Sequence, residues 1–208
     1  MDNNRPLQVK DGHYLGGYET LPRWITHYYQ IHEVLRLNKN KILEIGPGNG
    51  MVSWFLKKCG LNVVTCDIDS RNNPDFLGDV THLPFEDNSF DIILCCEVLE
   101  HIPYSEFEIA LREIRRVARD FVLISLPAPF AGIALALNLP FLAIYDLHIG
   151  MPYATEKKFD GGHYWELGRS GYSLQRIRNA MRNTGFDVIK EFRPPLSLFC
   201  CFFVLKKR

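Results

Sequence analysis

The sequence predicts an α/β fold: a doubly wound, mostly parallel, seven-stranded sheet whose final two strands form an antiparallel pair. Three observations carry this. From residue 41 onward, apolar runs of strand length alternate with helical patterns. A glycine-rich bend, Gly46-Pro47-Gly48-Asn49-Gly50, joins one such run to a helical one. Only Arg193-Pro194-Pro195-Leu196 separates the last two runs, and a connection that short cannot hold a crossover helix. A length of 208 residues fits one domain. We divide it into an N-terminal arm and helix, residues 1–40, able to serve as a lid, and a main domain, residues 41–208, with an apolar insertion at about 128–150.

In order, the N-terminal part reads as one helix, Trp24 to Leu37, behind an aromatic-rich arm. Residues 41–46 form a β-rich run ending in glycine, and 51–59 a helix stopped by Gly60. Strands follow at 62–69, 76–80, 90–97 and 121–127. The turn-forming Asn72-Asn73-Pro74-Asp75 places a loop or short turn, not a crossover helix, between the second and third. Ser105 and Glu108 have capping-box spacing before a helix with Phe107, Leu111, Ile114 and Val117 on its core face and Arg112, Arg115, Arg116 and Arg119 elsewhere. A later helix runs from Ser173 as N-cap to Gly185 beyond its end. Residues 186–192 and 197–207 close the sheet.

Twenty-four basic and 24 acidic residues cancel, and 47% apolar with 23% charged is globular composition, which disfavours disorder and a nucleic-acid partner. Charge is nonetheless segregated. Residues 61–110 hold eleven acids against one base, suiting a cationic small ligand, whereas 169–208 hold nine bases against two acids, suiting an anionic partner or surface or simply a solvated face. The six cysteines lie in apolar runs without a C-x-x-C spacing, so buried, reduced thiols are expected. The polar first residues read as no secretory leader, hence a cytoplasmic protein.

The bend between strand and helix lets a ligand approach bare backbone and helix N–H groups. Its G-x-G-x-G spacing differs from the dinucleotide G-x-G-x-x-G, and Asp67 stands 21 residues beyond Gly46, at a strand end where a carboxylate can take two ribose hydroxyls. Glu44 to Gly50, Asp67, Gly78 to Phe85 and Phe90 to Ile93 resemble class I S-adenosylmethionine-dependent methyltransferases, which share a Rossmann-like fold. Glu97-Val98-Leu99-Glu100-His101-Ile102 is similar to the branch containing quinone-biosynthesis enzymes.

That resemblance implies that Gly46, Gly48 and Gly50 pack against the methionine part of S-adenosylmethionine, with Glu44 near its amino end. It implies Asp67 on the ribose, Ile68 on the adenine face, Asp79 and Val80 at the adenine edge, and Glu97 beside the sulfonium. The acceptor is then a small molecule, and His101, at the start of the helix after the fourth strand, is the first candidate base, against a histidine merely bonded to backbone. His163 and Tyr164 are secondary catalytic candidates or aromatic anchors. Glu97, Glu100 and His101 form an E-x-x-E-H set associated with a divalent ion in some quinone-pathway relatives; no metal is assigned, because one carboxylate can serve the cofactor. Tyr14, Tyr18, Arg23 and Trp24 can form the lid or belong to a helix packed on the sheet. The uncharged run Phe130 to Tyr145 is too short and broken to span a membrane; it reads as an insertion over the acceptor site, a hairpin dipping into a lipid interface beside the arginines of the last helix, or buried core. A nicotinamide-dependent oxidoreductase and a non-catalytic nucleoside-binding scaffold are the alternatives.

Overall fold

The computed structural model describes residues 13–14, 17–137, 145–152, 155–197 and 199–208. In chain order it contains α1 (Leu21–Arg36), β1 (Lys41–Ile45), α2 (Met51–Lys58), β2 (Asn62–Asp67), β3 (Phe76–Leu77), β4 (Phe90–Cys96), α3 (Tyr104–Val117), β5 (Ala118–Pro127), β6 (Phe130–Leu137), β7 (Tyr145–Pro152), α4 (Leu174–Asn183), β8 (Phe186–Phe192) and β9 (Cys200–Lys207). Seven strands make one sheet in the order β3-β2-β1-β4-β5-β9-β8. The pairs from β3 to β5 are parallel, and β9 runs antiparallel to both β5 and β8. The predicted fold class is therefore the observed one.

Strand alternation divides the core between two faces of the sheet. Leu43, Ile93, Val122 and Phe203 point to the side covered by Phe107, Leu111 and Ile114 of α3 and Ile177 and Met181 of α4. Ile42, Ile92, Leu123 and Phe202 point to the opposite side, toward Val34 of α1 and Val52 and Leu56 of α2. Each buried side chain of this size contributes about 1.5–3 kcal/mol, so the strand ends are held by a packed three-layer frame.

Several boundaries differ from the sequence reading. α1 starts at Leu21, because Pro22 in the first turn needs no N–H partner, and it ends at Arg36. β2 stops at Asp67, where Asp69 caps a 3-10 turn at Ser70–Asn72; the crossover helix is absent as expected, and β2 and β3 still pair in parallel. β3 is only two residues long, because Asp79 turns back to accept hydrogen bonds from the Thr81 N–H and hydroxyl at 2.8 and 2.7 Å. β9 begins at Cys200. α3 begins after Pro103 with no side-chain cap, so Ser105 lies inside the helix and caps nothing. Arg119 belongs to β5, and Arg115 and Arg116 are anchored to backbone carbonyls rather than projecting freely. By contrast, Ser173 caps α4 through the Arg176 N–H, and Gly60 and Gly185 take the left-handed backbone expected beyond a helix.

The apolar insertion forms a separate two-stranded hairpin, β6 with β7. Ile133 faces Ile149, Leu135 faces Leu147 and Ala131 faces Met151 in register, and these five large side chains are all at least half exposed. Buried core is therefore excluded for these side chains; residues 138–144 lie outside the described residues. Cys59, at the end of α2, is exposed, contrary to expectation, and no described cysteine is in a disulfide. Much of the basic C-terminal charge is spent internally: Arg178 pairs with Glu191, Lys190 with Glu33 and Arg208 with Asp187.

Candidate functional site

The sheet order reverses between β1 and β4, so their carboxyl ends open a crevice of the kind in which α/β folds bind ligands. The glycine bend leaves β1 there. Gly46, Gly48 and Gly50 have φ of +68, +56 and +74°, a region costly for residues with a Cβ. The bend is also crowded. A Cβ on Gly46 would lie 2.5 Å from Val98 Cγ2, and one on Gly48 would lie 3.2 Å from the Tyr14 ring.

Three carboxylates surround this bend. Glu44, on β1, is 4% exposed and its Oε2 has no hydrogen-bond partner among the described residues; burial pushes its carboxyl up to about 8. Asp67 ends β2 and is likewise buried. Its Oδ1 accepts from the Asp69 N–H at 2.9 Å and its Oδ2 from Asn72 Nδ2 at 2.8 Å, leaving one lone pair on each oxygen. Burial raises its pKa against the opposing pull of those bonds. Glu97 follows β4, which ends at Cys96 because Glu97 takes a left-handed φ of +55°. Ser125 Oγ donates to Glu97 Oε1 at 2.8 Å, and the Glu97 N–H reaches the Ser125 carbonyl at 3.1 Å. Ile68 lies half-buried directly after Asp67, while Asp79 and buried Val80 sit in the turn after β3.

The N-terminal arm lies over the bend. Tyr14 and Tyr18 meet edge to face at 4.9 Å, and Arg23 stacks 4.0 Å over the Tyr18 ring. Glu19 accepts from the Asn49 side chain and lies 3.4 Å from His27 Nε2, tying the arm to both the bend and α1. Trp24 is exposed on α1, its ring edge to face with His27 at 6.1 Å.

A second cluster lies beyond Glu97. His101 ends a 3-10 turn, Leu99–His101, and precedes α3 instead of starting it. Its Nδ1 is 3.0 Å from the Gly162 carbonyl, and burial, followed by the neighbouring His163, lowers its pKa to about 4. The two imidazoles meet edge to face at 5.1 Å. His163 Nδ1 lies 3.1 Å from Glu166 Oε1. Burial alone would raise the Glu166 pKa, but hydrogen bonds from His163, Arg169 and Lys157 together bring it below the usual carboxylate range. Glu100 is completely buried, and neither of its carboxylate oxygens has a hydrogen-bond partner among the described residues. Tyr164 is an anchor in this structure: its ring stacks on Phe159 at 4.3 Å and its N–H donates to the Glu100 carbonyl. The sequence reading gave Val98 and Glu166 no role of their own and did not single out Ser125. Ser125, a lone polar residue in the apolar run 121–127, was the one with a visible signal.

Residues 43–122 match the family described as a methyltransferase domain. That stretch contains the bend, Asp67, Asp79 and Glu97. Over that stretch the chain is similar to class I S-adenosylmethionine-dependent methyltransferases. The donor used by such a domain is S-adenosylmethionine. A demethylmenaquinone methyltransferase of Corynebacterium efficiens is 34% identical over 87 residues, covering 38% of this chain and 37% of that protein. The similarity thus spans less than two fifths of that relative's length, and of this chain's.

Solved structures extend the likeness in fold to most of the chain. Magnesium protoporphyrin IX methyltransferase from Synechocystis, with bound S-adenosylhomocysteine, superposes with a TM-score of 0.62 at 15% identity, over 94% of this chain and 91% of that one. A 1,6-didemethyltoxoflavin-N1-methyltransferase of Burkholderia thailandensis, bound to 1,6-didemethyltoxoflavin and S-adenosylhomocysteine, gives 0.60 at 15% identity, over 87% and 77%.

Proposed function

We propose that this chain transfers a methyl group from S-adenosylmethionine to a small, apolar acceptor. S-adenosylmethionine supplies a methyl group activated by a positively charged sulfur. The chain's own residues suit that donor. Glu44 is held by Ser53, but its buried Oε2 has no hydrogen-bond partner among the described residues, and the donor's amino end offers one. Gly46, Gly48 and Gly50 present backbone where side chains would block the methionine part. Asp67 has a lone pair left on each oxygen for the ribose hydroxyls, Ile68 flanks the adenine, and Asp79 with Val80 borders its edge. Burial pushes the Glu97 carboxyl up to about 7 against the opposing bond from Ser125, and a neighbouring sulfonium favours its ionised form. Tyr14, Tyr18 and Arg23 cover the bend as a lid that keeps water away.

On the acceptor side, His101, His163 and Glu100 form the polar wall, and positioning the acceptor at near-attack distance can supply about 7–11 kcal/mol at best. The exposed face of β6 and β7 supports an apolar acceptor and peripheral contact with a lipid surface. Among the described residues no helix is long and apolar enough to cross a membrane. The observation carrying the whole reading is the bare glycine bend flanked by Glu44 and Asp67 at the sheet's reversal point.

Thermal denaturation tests the donor: adenosylhomocysteine is expected to raise the midpoint and NAD to leave it unchanged, and stabilisation by NAD alone would overturn the reading in favour of an oxidoreductase. Labelled-methyl transfer into separated metabolite and lipid fractions tests the reaction. Label is expected in an apolar small molecule; no transfer to any fraction would favour the scaffold alternative.

A further inference from the structure

We infer that Glu100, His101 and His163 form a binding site for one divalent ion of the zinc class. One ligand atom from each lies within 4.8 Å of the others, with Glu100 Oε1 4.0 Å from both His101 Nε2 and His163 Nε2. Glu100 has no exposed surface, and both its oxygens lack a hydrogen-bond partner among the described residues. A carboxylate left in this state costs several kcal/mol unless it is neutralised or coordinates a cation.

The outer contacts point the same way. His101 Nδ1 is fixed by the Gly162 carbonyl at 3.0 Å and His163 Nδ1 by Glu166 at 3.1 Å. Metal-binding histidines are held in this manner, one ring nitrogen on a carbonyl or carboxylate and the other on the ion. Glu166 is steadied in turn by Arg169 at 3.0 Å and Lys157 at 3.1 Å. Bonds of about 2.0–2.1 Å to a tetrahedral ion bring ligand atoms to about 3.4 Å apart, so the two Glu–His separations of 4.0 Å need to shorten by only about 0.6 Å to seat the ion. Two imidazoles and one carboxylate select zinc over magnesium, which prefers oxygen, and they leave a fourth position open.

This is not the donor set suggested by the E-x-x-E-H spacing. Glu97 is turned to Ser125 and is absent from the cluster, and its place is taken by His163, which lies 62 residues beyond His101 on the segment after the hairpin. The inference does not depend on the methyl donor, since it concerns metal binding alone.

The test uses the full, tag-free chain stripped with a chelator and titrated with zinc against a chromophoric competitor, with cobalt as a spectroscopic probe. We expect one zinc per chain, the intense visible absorption of four-coordinate cobalt, and no displacement by a large excess of magnesium. His163→Ala should weaken zinc at least tenfold and Glu166→Gln by about 10- to 100-fold, whereas Glu97→Gln should leave zinc affinity within twofold. Circular dichroism confirms that each variant folds. Absence of saturable one-to-one zinc binding by the wild-type chain would overturn the site. Undiminished affinity in folded His163→Ala, or an equal loss in Glu97→Gln, would overturn the donor set.

Discussion

Replacing Asp67 with alanine should separate the carboxylate's two tasks. In the protein, its oxygens accept from the Asp69 N–H at 2.9 Å and Asn72 Nδ2 at 2.8 Å. In the proposed complex they also accept from two ribose hydroxyls. A hydrogen bond to a charged group contributes about 1.5–3 kcal/mol, and relief of the buried carboxylate's desolvation offsets part of two such bonds, leaving about 2–4 kcal/mol of lost affinity. At about 1.4 kcal/mol per factor of ten, that weakens binding roughly 30- to 700-fold. Isothermal titration with adenosylhomocysteine measures it, and urea denaturation separately measures what the turn after β2 loses. An affinity within twofold of wild type, in a variant that remains folded, would refute the ribose assignment.

Other consequences can be checked independently. The folded-state pKa of Glu44 lies near 8, above its ordinary 4.5, so the folded protein holds the proton more tightly. Its contribution to stability is present below about pH 4.5 and is lost as pH rises toward 8. Denaturant midpoints should therefore fall over that interval, and less steeply in Glu44→Gln; identical slopes would contradict the assignment. Gly46→Ala combines a left-handed backbone cost of about 1–2 kcal/mol with overpacking of about 1–3 kcal/mol against Val98. Urea denaturation should show that loss, and adding Val98→Ala should recover part of it. His101→Ala should lower turnover while adenosylhomocysteine still binds in calorimetry; an unchanged rate and pH profile would remove His101 from the acceptor side. Ile133→Asp with Ile149→Asp should reduce cosedimentation with lipid vesicles, and equal binding would exclude the hairpin as the contact.

Local chemistry made most of the frame legible. Continuous apolar runs marked β1, β2, β4 and β5, Ser173 and Gly185 bracketed α4, and the short proline-containing connection forced β8 and β9 antiparallel. The glycine bend and Asp67 could be read because their spacing follows from one strand-turn-helix unit. Contacts between distant segments could not. Nothing adjacent in sequence says that Gly162 would receive the His101 imidazole, or that Ser125 would hold Glu97. The hairpin was only one of several readings of its run, because exposed β-branched and aliphatic residues at every second position give the same hydropathy as a core segment.

The methyl group of Val98 occupies the space that a side chain on Gly46 would need, and Val98 stands between Glu97 and the turn bearing Glu100 and His101. The two loops are thus meshed like teeth. In the proposed complex, a shift of the turn toward the bend to admit an acceptor would drive Val98 against Gly46, so the cradle of the donor would register the acceptor before the two molecules touch.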